Sequence, residues 1–356
     1  MQHSTGIRGL LTQSMRENAM PLGLVTLYVL IAIGLANHFD FGLRMKPWFN
    51  LLLFATCYML IAVPRLLWLL ARERPESPIR FLARLPGRWR LKERLILAAP
   101  MLLGMAVFFP VFSSMKSAIP AMSNYELDPL FARMDVMIHG RHAWEVLQPV
   151  LGYPLISYLL NGVYHLWLPA FYMTVAAAAV LVEQPELRRR FFIAFILCWA
   201  LLGNLAATLL ASVGPCFYAF FYPGDPYAGL MSYLHQADTV FPLAALDVQA
   251  TLIGWWREGT PGLGRGISAM PSVHVAIACL IMLLSWRMGR VWAAAGTIFL
   301  VAIVLGSIHL AYHYAVDAYF SLVATSVIWW VAGRLAAPRG VKLRGLAGEA
   351  AYRPAE

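Results

Sequence analysis

The stretch VWAAAGTIFLVAIVLGSIHLAY covers residues 291–312 and contains no Asp, Glu, Lys or Arg. A helix needs about 20 apolar residues to cross the hydrocarbon core of a bilayer, so this stretch is long and apolar enough to be a membrane span. The composition agrees, because 60% of the 356 residues are hydrophobic. Only 13% are charged, against about 25% in soluble domains. These values exclude soluble, disordered and collagen-like proteins and indicate an integral membrane protein.

Similar apolar stretches occur along the whole chain and predict an all-α membrane helix bundle with about eight spans. The predicted spans are residues 21–38, 48–71, 94–114, 153–182, 190–213, 268–286, 291–312 and 315–333. We expect residues 1–114 to form N-terminal membrane helices with an Arg-rich cytoplasmic loop, and residues 115–335 to form a catalytic membrane domain. Residues 336–356 are rich in Ala, Gly, Arg and Pro and predict a disordered cytoplasmic tail.

The net charge of +10 is also typical of nucleic-acid-binding proteins, but its distribution favours a membrane. The basic residues collect at the ends of apolar runs, so we expect no nucleic acid partner. With the N-terminus in the cytoplasm, 21 of the 28 Lys and Arg residues fall on the cytoplasmic side of eight spans. This asymmetry predicts that both termini are cytoplasmic. The four cysteines are scattered and predict buried thiols rather than disulfides or a metal site.

Ionisable residues cluster near the ends of the sixth and seventh spans. The segment PSVH (residues 271–274) begins the sixth span, and HLAYHYAVD (residues 309–317) ends the seventh. The 39 positions from His274 to His313 are enough for a helix, a tight turn and a helix back. Both histidines are therefore expected on the outer side of the membrane. Because ionisable groups in membrane spans are costly to bury, this cluster is the candidate functional site.

Positions 309, 313 and 317 are four residues apart and are predicted to share one helical face. Asp317 would then accept a hydrogen bond from one nitrogen of His313 and leave the other nitrogen as a nucleophile. His274, on another helix, would donate a proton to a leaving oxygen. These three residues predict phosphoryl transfer through a phosphohistidine.

The motifs Pro-Ser-x-His and His-x-x-x-Asp resemble the second and third signatures of the type 2 phosphatidic acid phosphatase superfamily, over roughly residues 115–333. The resemblance implies a six-helix core of that family's type. It also implies that His313 is the nucleophile, that Asp317 orients it and that His274 is the general acid. Members act on lipid phosphate esters, and we expect neither a cofactor nor a metal.

The chain departs from that superfamily at its basic residues. The first signature, Lys-x6-Arg-Pro, has no match, and GPCFY (residues 214–218) stands roughly in its place. Gly306-Ser307 occupies the Ser-Arg positions of the third signature. In these features, and in MPSVH (residues 270–274) and HYAVD (residues 313–317), the chain is more similar to the inositol phosphorylceramide synthase branch. Members of that branch move a phosphorylated headgroup between lipids or onto an alcohol acceptor.

Other residues must then hold the phosphate. Arg265, between two glycines that permit close backbone approach, is the best basic candidate, although a headgroup-facing anchor explains it equally well. The hydroxyl of Ser272 and the amides at the start of the sixth span are further donors. His309 is either a second phosphate contact or a structural hydrogen-bonding residue.

The segment DPLFARMD (residues 128–135) predicts an amphipathic helix at the membrane interface. Its acidic residues, Asp128 and Asp135, are expected on a solvated face. Contact with a polyol acceptor is the alternative for them.

The sequence as a whole predicts a multi-pass lipid phosphotransferase with its site on the extracytoplasmic side, periplasmic or lumenal. Its expected partners are membrane lipids, including sphingolipids, and an alcohol or polyol headgroup acceptor. A lipid phosphatase that hydrolyses a phosphatidate-type or polyprenyl phosphate is the alternative. Two other classes use the same residues: a zinc enzyme with His274, His309, His313 and Asp317 as ligands, and a transporter with a proton relay.

Overall fold

The computed structural model describes residues 6–258 and 266–337, and within these ranges every regular element is a helix. The main helices are α1 (Ile7–Glu17), α2 (Ala19–His38), α3 (Pro47–Glu73), α4 (Pro78–Arg88), α5 (Leu91–Ser117), α6 (Asp128–His139), α7 (Ala143–Leu151), α8 (Pro154–Ala179), α9 (Pro185–Leu209), α10 (Ala228–Asp238), α11 (Ala244–Arg257), α12 (Val273–Ser285), α13 (Arg290–His309) and α14 (Ala315–Ala336). This confirms the all-α fold class. The predicted disordered tail lies outside the described residues from 338 onward.

Six helices are long and apolar enough to cross a membrane, namely α2, α3, α5, α9, α13 and α14. They correspond to six of the eight predicted spans, and they indicate a multi-pass membrane protein. The fourth predicted span is helix α8, which forms a bent pair with α7 at 114°. The bend falls between Leu151 and Pro154, and Pro154 begins α8, a position where the missing amide of proline costs no hydrogen bond.

The sixth predicted span is shorter than expected. Helix α12 has only 13 residues, because the chain before it is not helical from residue 266 to residue 272. The amides of Ala269 and Met270 donate to the carbonyl and the hydroxyl of Ser212, at 2.9 Å each. These bonds attach the segment to the loop after α9, and the segment does not extend α12.

Helix α12 lies at the centre of the bundle. It packs against α8, α9, α13 and α14, and Val275, Ile277 and Leu280 on it are fully buried. Helix α9 is π-helical over Cys198–Ala206, beside the start of α12. A Cβ atom at Gly203 would come within 2.7 Å of the Phe112 ring and 3.2 Å of Val273, so the glycine permits α5, α9 and α12 to meet.

Candidate active site

The start of α12 holds His274 in its first turn. Ser272 is the N-cap, and its hydroxyl oxygen accepts a hydrogen bond from the amide of Val275 at 3.3 Å. This bond satisfies one of the amides that a helix start leaves without a partner. Ser272 is fully buried, so its structural role is to cap the helix, and its contact with phosphate stays a prediction.

The connection between α13 and α14 differs from the prediction. Residues 310–314 are not helical, so positions 309, 313 and 317 do not share one helical face. Ala311 takes a left-handed conformation with φ of 60°. The amides of Tyr312 and His313 then both donate to the carbonyl of Ser307, at 3.1 and 3.0 Å. The chain therefore folds back beside the last turn of α13, which brings His313 to the side of α12.

His313 and Asp317 nevertheless form the predicted pair. Nδ1 of His313 lies 3.2 Å from Oδ2 of Asp317, and Asp317 is fully buried while His313 is 6% exposed. The same Oδ2 accepts the amide of Tyr314 at 3.2 Å, as the carboxylate of a capping box at the start of α14. A carboxylate at Nδ1 selects the tautomer with its proton there, which leaves Nε2 as the free base.

His274 approaches this pair from the neighbouring helix, with its ring centroid 6.3 Å from that of His313. Its imidazole lies against the rings of Tyr164 and Trp167, at centroid distances of 4.6 and 4.1 Å. The indole N–H of Trp167 donates to the backbone carbonyl of His274 at 3.0 Å. The ring is thus oriented by stacking, and among the described residues no hydrogen bond is made to its nitrogens.

This arrangement suits a phosphoryl group placed between the two imidazoles. Attack requires the nucleophile about 3–3.5 Å from phosphorus, and proton donation requires the acid within about 2.6–3.2 Å of the leaving oxygen. Burial and the positive charge of Lys116 lower the pKa of His313 below its usual range, while the carbonyl of Ala269 acts in the opposite direction. A lowered pKa favours the neutral form of His313, which is the form that could act as a nucleophile.

Lys116 is a residue that sequence reasoning missed. It lies in the last turn of α5, far from the histidine motifs along the chain. It contacts the segment that leads to His274, since a Cβ atom at Gly266 would lie 2.5 Å from the carbonyl oxygen of Lys116, and its positive charge contributes to the lowered pKa of His313. No local pattern around Lys116 marks it as part of the site, because only the packing of α5 against the bundle brings it there.

The acidic residues of α6 are buried, so the prediction of a solvated face is wrong. Asp128 has no exposed surface. It accepts the amides of Val213 and Gly214 at 2.9 and 2.8 Å, and the hydroxyls of Tyr222 and Tyr314 at 3.0 and 2.8 Å. A carboxylate with four donors is stable in the interior, and here it connects the loop after α9 to the residue that follows His313.

Asp135, the second acidic residue of α6, caps α14 from outside that helix. Its two carboxylate oxygens accept the amides of Ala315 and Val316, at 2.9 and 3.0 Å. Burial raises the pKa of Asp135 above its ordinary value, while these amides lower it. Helix α6 therefore fixes the first turn of α14, which carries Asp317.

Among the remaining predicted site residues, His309 contacts another part of the bundle rather than the histidine pair. Nε2 of His309 lies 2.8 Å from the hydroxyl of Ser157, which also contacts the hydroxyl of Tyr233 at 2.7 Å. This geometry supports the structural interpretation of His309. Arg265 lies outside the described residues, and its contact with phosphate stays a prediction.

The zinc alternative needs His309 and His313 on one ion. Within residues 6–258 and 266–337, no three His, Cys, Asp or Glu side chains are grouped so that they could hold a metal. His309 instead faces Ser157, which removes one ligand from the proposed set.

Comparison with protein families identifies a match. Residues 130–331, more than half of the chain, match the family model described as the PAP2 superfamily. The matched range begins within α6 and contains His274, His313 and Asp317, whereas Lys116 precedes it. Neither a curated protein nor a solved structure matches the chain.

Proposed function

The chain belongs to the PAP2 superfamily, and from that membership we propose that it is an integral membrane phosphotransferase. Members of this superfamily are usually phosphatases or phosphotransferases. The proposed reaction moves a phosphorylated headgroup between lipid substrates through a phosphohistidine, as in the inositol phosphorylceramide synthase branch. The observation that carries the proposal is the buried pair of His313 and Asp317, which lies opposite a second imidazole, that of His274.

The reaction has two steps. In the first, Nε2 of His313 attacks the phosphorus of the donor lipid, and the bond from phosphorus to the lipid oxygen breaks. His274 donates its proton to that oxygen, and the carboxylate of Asp317 stabilises the positive charge on His313. In the second, the oxygen of an acceptor alcohol attacks the phosphohistidine, the N–P bond breaks, and His274 takes the proton of the alcohol.

The surroundings of the site support transfer to an alcohol over transfer to water. Tyr164 stacks on both His274 and Tyr312, at centroid distances of 4.6 and 5.0 Å. Trp167 also lies against His274, so aromatic rings line this part of the site and would limit access of water to the phosphohistidine. A lipid phosphatase, in which water is the acceptor, is the alternative reaction of the same residues.

We also propose that the site opens on the extracytoplasmic side, with both termini in the cytoplasm. The start of α12 and the end of α13 lie at the same end of the helix pair, opposite the turn at Arg287. The charge asymmetry of the loops supports this orientation.

The proposal is tested with purified protein in nanodiscs and a donor lipid labelled in its phosphate. The reaction is stopped in alkali, in which phosphohistidine is stable. Label should stay on the wild type and on the control His38→Ala, whose histidine is exposed, but not on His313→Ala. Alcohols that discharge the label into a lipid or polyol product support transfer. Inorganic phosphate as the sole product with every alcohol would establish the phosphatase instead, and an active His313→Ala variant would overturn both.

A further inference from the structure

A phosphate in this site needs a positive partner. It would lie beside the carboxylate of Asp317 and near Asp128 and Asp135, which interact with Asp317 electrostatically. An anion that is moved from water into a buried, acidic environment is costly unless a cation or several donors compensate for it. The basic residues of the family's first signature, which the resemblance implies for this purpose, are absent from the chain.

Lys116 lies in the last turn of α5 and contacts, at Gly266, the segment that leads to His274. Its positive charge contributes to the lowered pKa of His313. No carboxylate in residues 6–258 or 266–337 pairs with Lys116, and no side chain there holds its ammonium in a hydrogen bond. A partly buried ammonium that has no anionic partner in the protein is available to bind an anionic ligand.

The backbone of the site holds the stem of Lys116 in place. A Cβ atom at Gly266 would lie 2.5 Å from the carbonyl oxygen of Lys116 and 3.0 Å from its Cγ. Only glycine permits such close contact. From Gly266 the chain runs directly through Ala269 to the start of α12, so Lys116 packs against the segment that delivers His274.

We propose that Lys116 binds the phosphate of the substrate and supplies the cation that the missing signature would provide. The inference rests on the proposed phosphotransfer, because it assigns a phosphate-binding residue to that same site. Lys116 comes from α5, which lies before the matched residues 130–331. A lysine ammonium offers a compact charge and three donors, which suits the non-bridging oxygens of a phosphate.

The first test measures binding of orthovanadate, which needs no lipid turnover. The variants are Lys116→Met, Lys116→Arg and the control Lys92→Met, whose lysine is exposed at the other end of the same helix. Affinity is read from the vanadate-dependent rise in the thermal midpoint in nanodiscs. Loss of a charge-assisted hydrogen bond should weaken binding by about tenfold or more in Lys116→Met. Lys116→Arg should retain most of the affinity, and Lys92→Met all of it.

A second variant, Gly266→Ala, keeps the charge of Lys116 but changes the position of its side chain. Gly266→Ala should displace Lys116 and weaken vanadate binding, whereas Gly254→Ala, where a Cβ meets no neighbour within 4 Å, should leave binding unchanged. This variant also tests the proposal if Lys116→Met does not fold.

The outcomes separate this inference from the proposed function. Wild-type vanadate affinity in Lys116→Met would overturn the role of Lys116, even if labelled lipid is turned over normally. Vanadate binding that depends on Lys116, in a protein that transfers no lipid phosphate, would support the anion site and overturn the proposed transfer.

Discussion

Oδ2 of Asp317 lies 3.2 Å from Nδ1 of His313 and also 3.2 Å from the amide nitrogen of Tyr314. One oxygen thus orients the imidazole and caps α14. The orientation of the His313 ring and the start of the helix are therefore coupled through a single carboxylate.

The first prediction concerns the charge of that carboxylate. Asp317→Asn keeps an oxygen that can accept the amide of Tyr314 but loses the charge that stabilises the imidazolium of His313. We expect a fall in the single-turnover rate of roughly 10⁴-fold, by analogy with the same change in a serine protease triad. His313→Ala should abolish turnover. A rate for Asp317→Asn near that of the wild type would contradict the role of the pair.

The second prediction concerns the cap that α6 places on α14. Asp135→Ala leaves the amides of Ala315 and Val316 without their acceptor. Hydrogen bonds to a charged group contribute about 1.5–3 kcal/mol each, so both the thermal midpoint and the turnover should fall. Asp247→Ala, at an exposed position in the first turn of α11, is the control and should change neither. An Asp135→Ala protein with normal turnover would show that Asp317 is held without α6.

The third prediction is a pH dependence. The lowered pKa of His313 means that its nucleophilic, neutral form persists as the pH falls through the ordinary histidine range. The fall of kcat/KM towards acid pH reflects titration of groups in the free enzyme. We therefore expect the midpoint of this acid limb to lie below pH 6.5. Because Lys116 contributes to this lowering, Lys116→Met should move the limb to higher pH. A limb that stays in place in Lys116→Met would show that the charge does not act on the nucleophile.

The fourth prediction separates phosphohistidine chemistry from the zinc alternative. Strong chelators should leave the activity nearly unchanged, because fixed donors rather than a divalent ion meet the charge of the phosphate. His309→Ala should lower stability through its lost bond to Ser157 while turnover persists. One stoichiometric zinc that is lost in both His309→Ala and His313→Ala would reverse this assignment.

The motif spacing was sufficient to predict that His313 contacts Asp317, but the predicted geometry was wrong. The sequence predicted that His313 and Asp317 meet on one helical face, whereas they meet across a helix start. The left-handed turn at Ala311 could not be foreseen, because alanine rarely adopts that conformation and only the packing around it imposes it.

The burial of the acidic residues of α6 could not be predicted from the local sequence pattern either. Asp128 and Asp135 follow the spacing of an amphipathic helix, in which carboxylates normally face water. Their partners are amides of residues 213–214 and 315–316, which are distant in sequence. Only the tertiary fold shows that these amides need acceptors. Lys116 escaped prediction for the same reason.

The length of α12 has a consequence for the lipid itself. Thirteen residues rise about 20 Å, whereas the hydrocarbon core is about 30 Å thick. If the exposed Arg287 at its far end stays at the headgroup level, His274 lies about 10 Å beneath the opposite surface, by the same dimensions. The phosphate of a lipid substrate would then have to move about that far below the headgroup level, or the bilayer would have to thin locally. Turnover should therefore be faster in bilayers of short acyl chains than in thick ones.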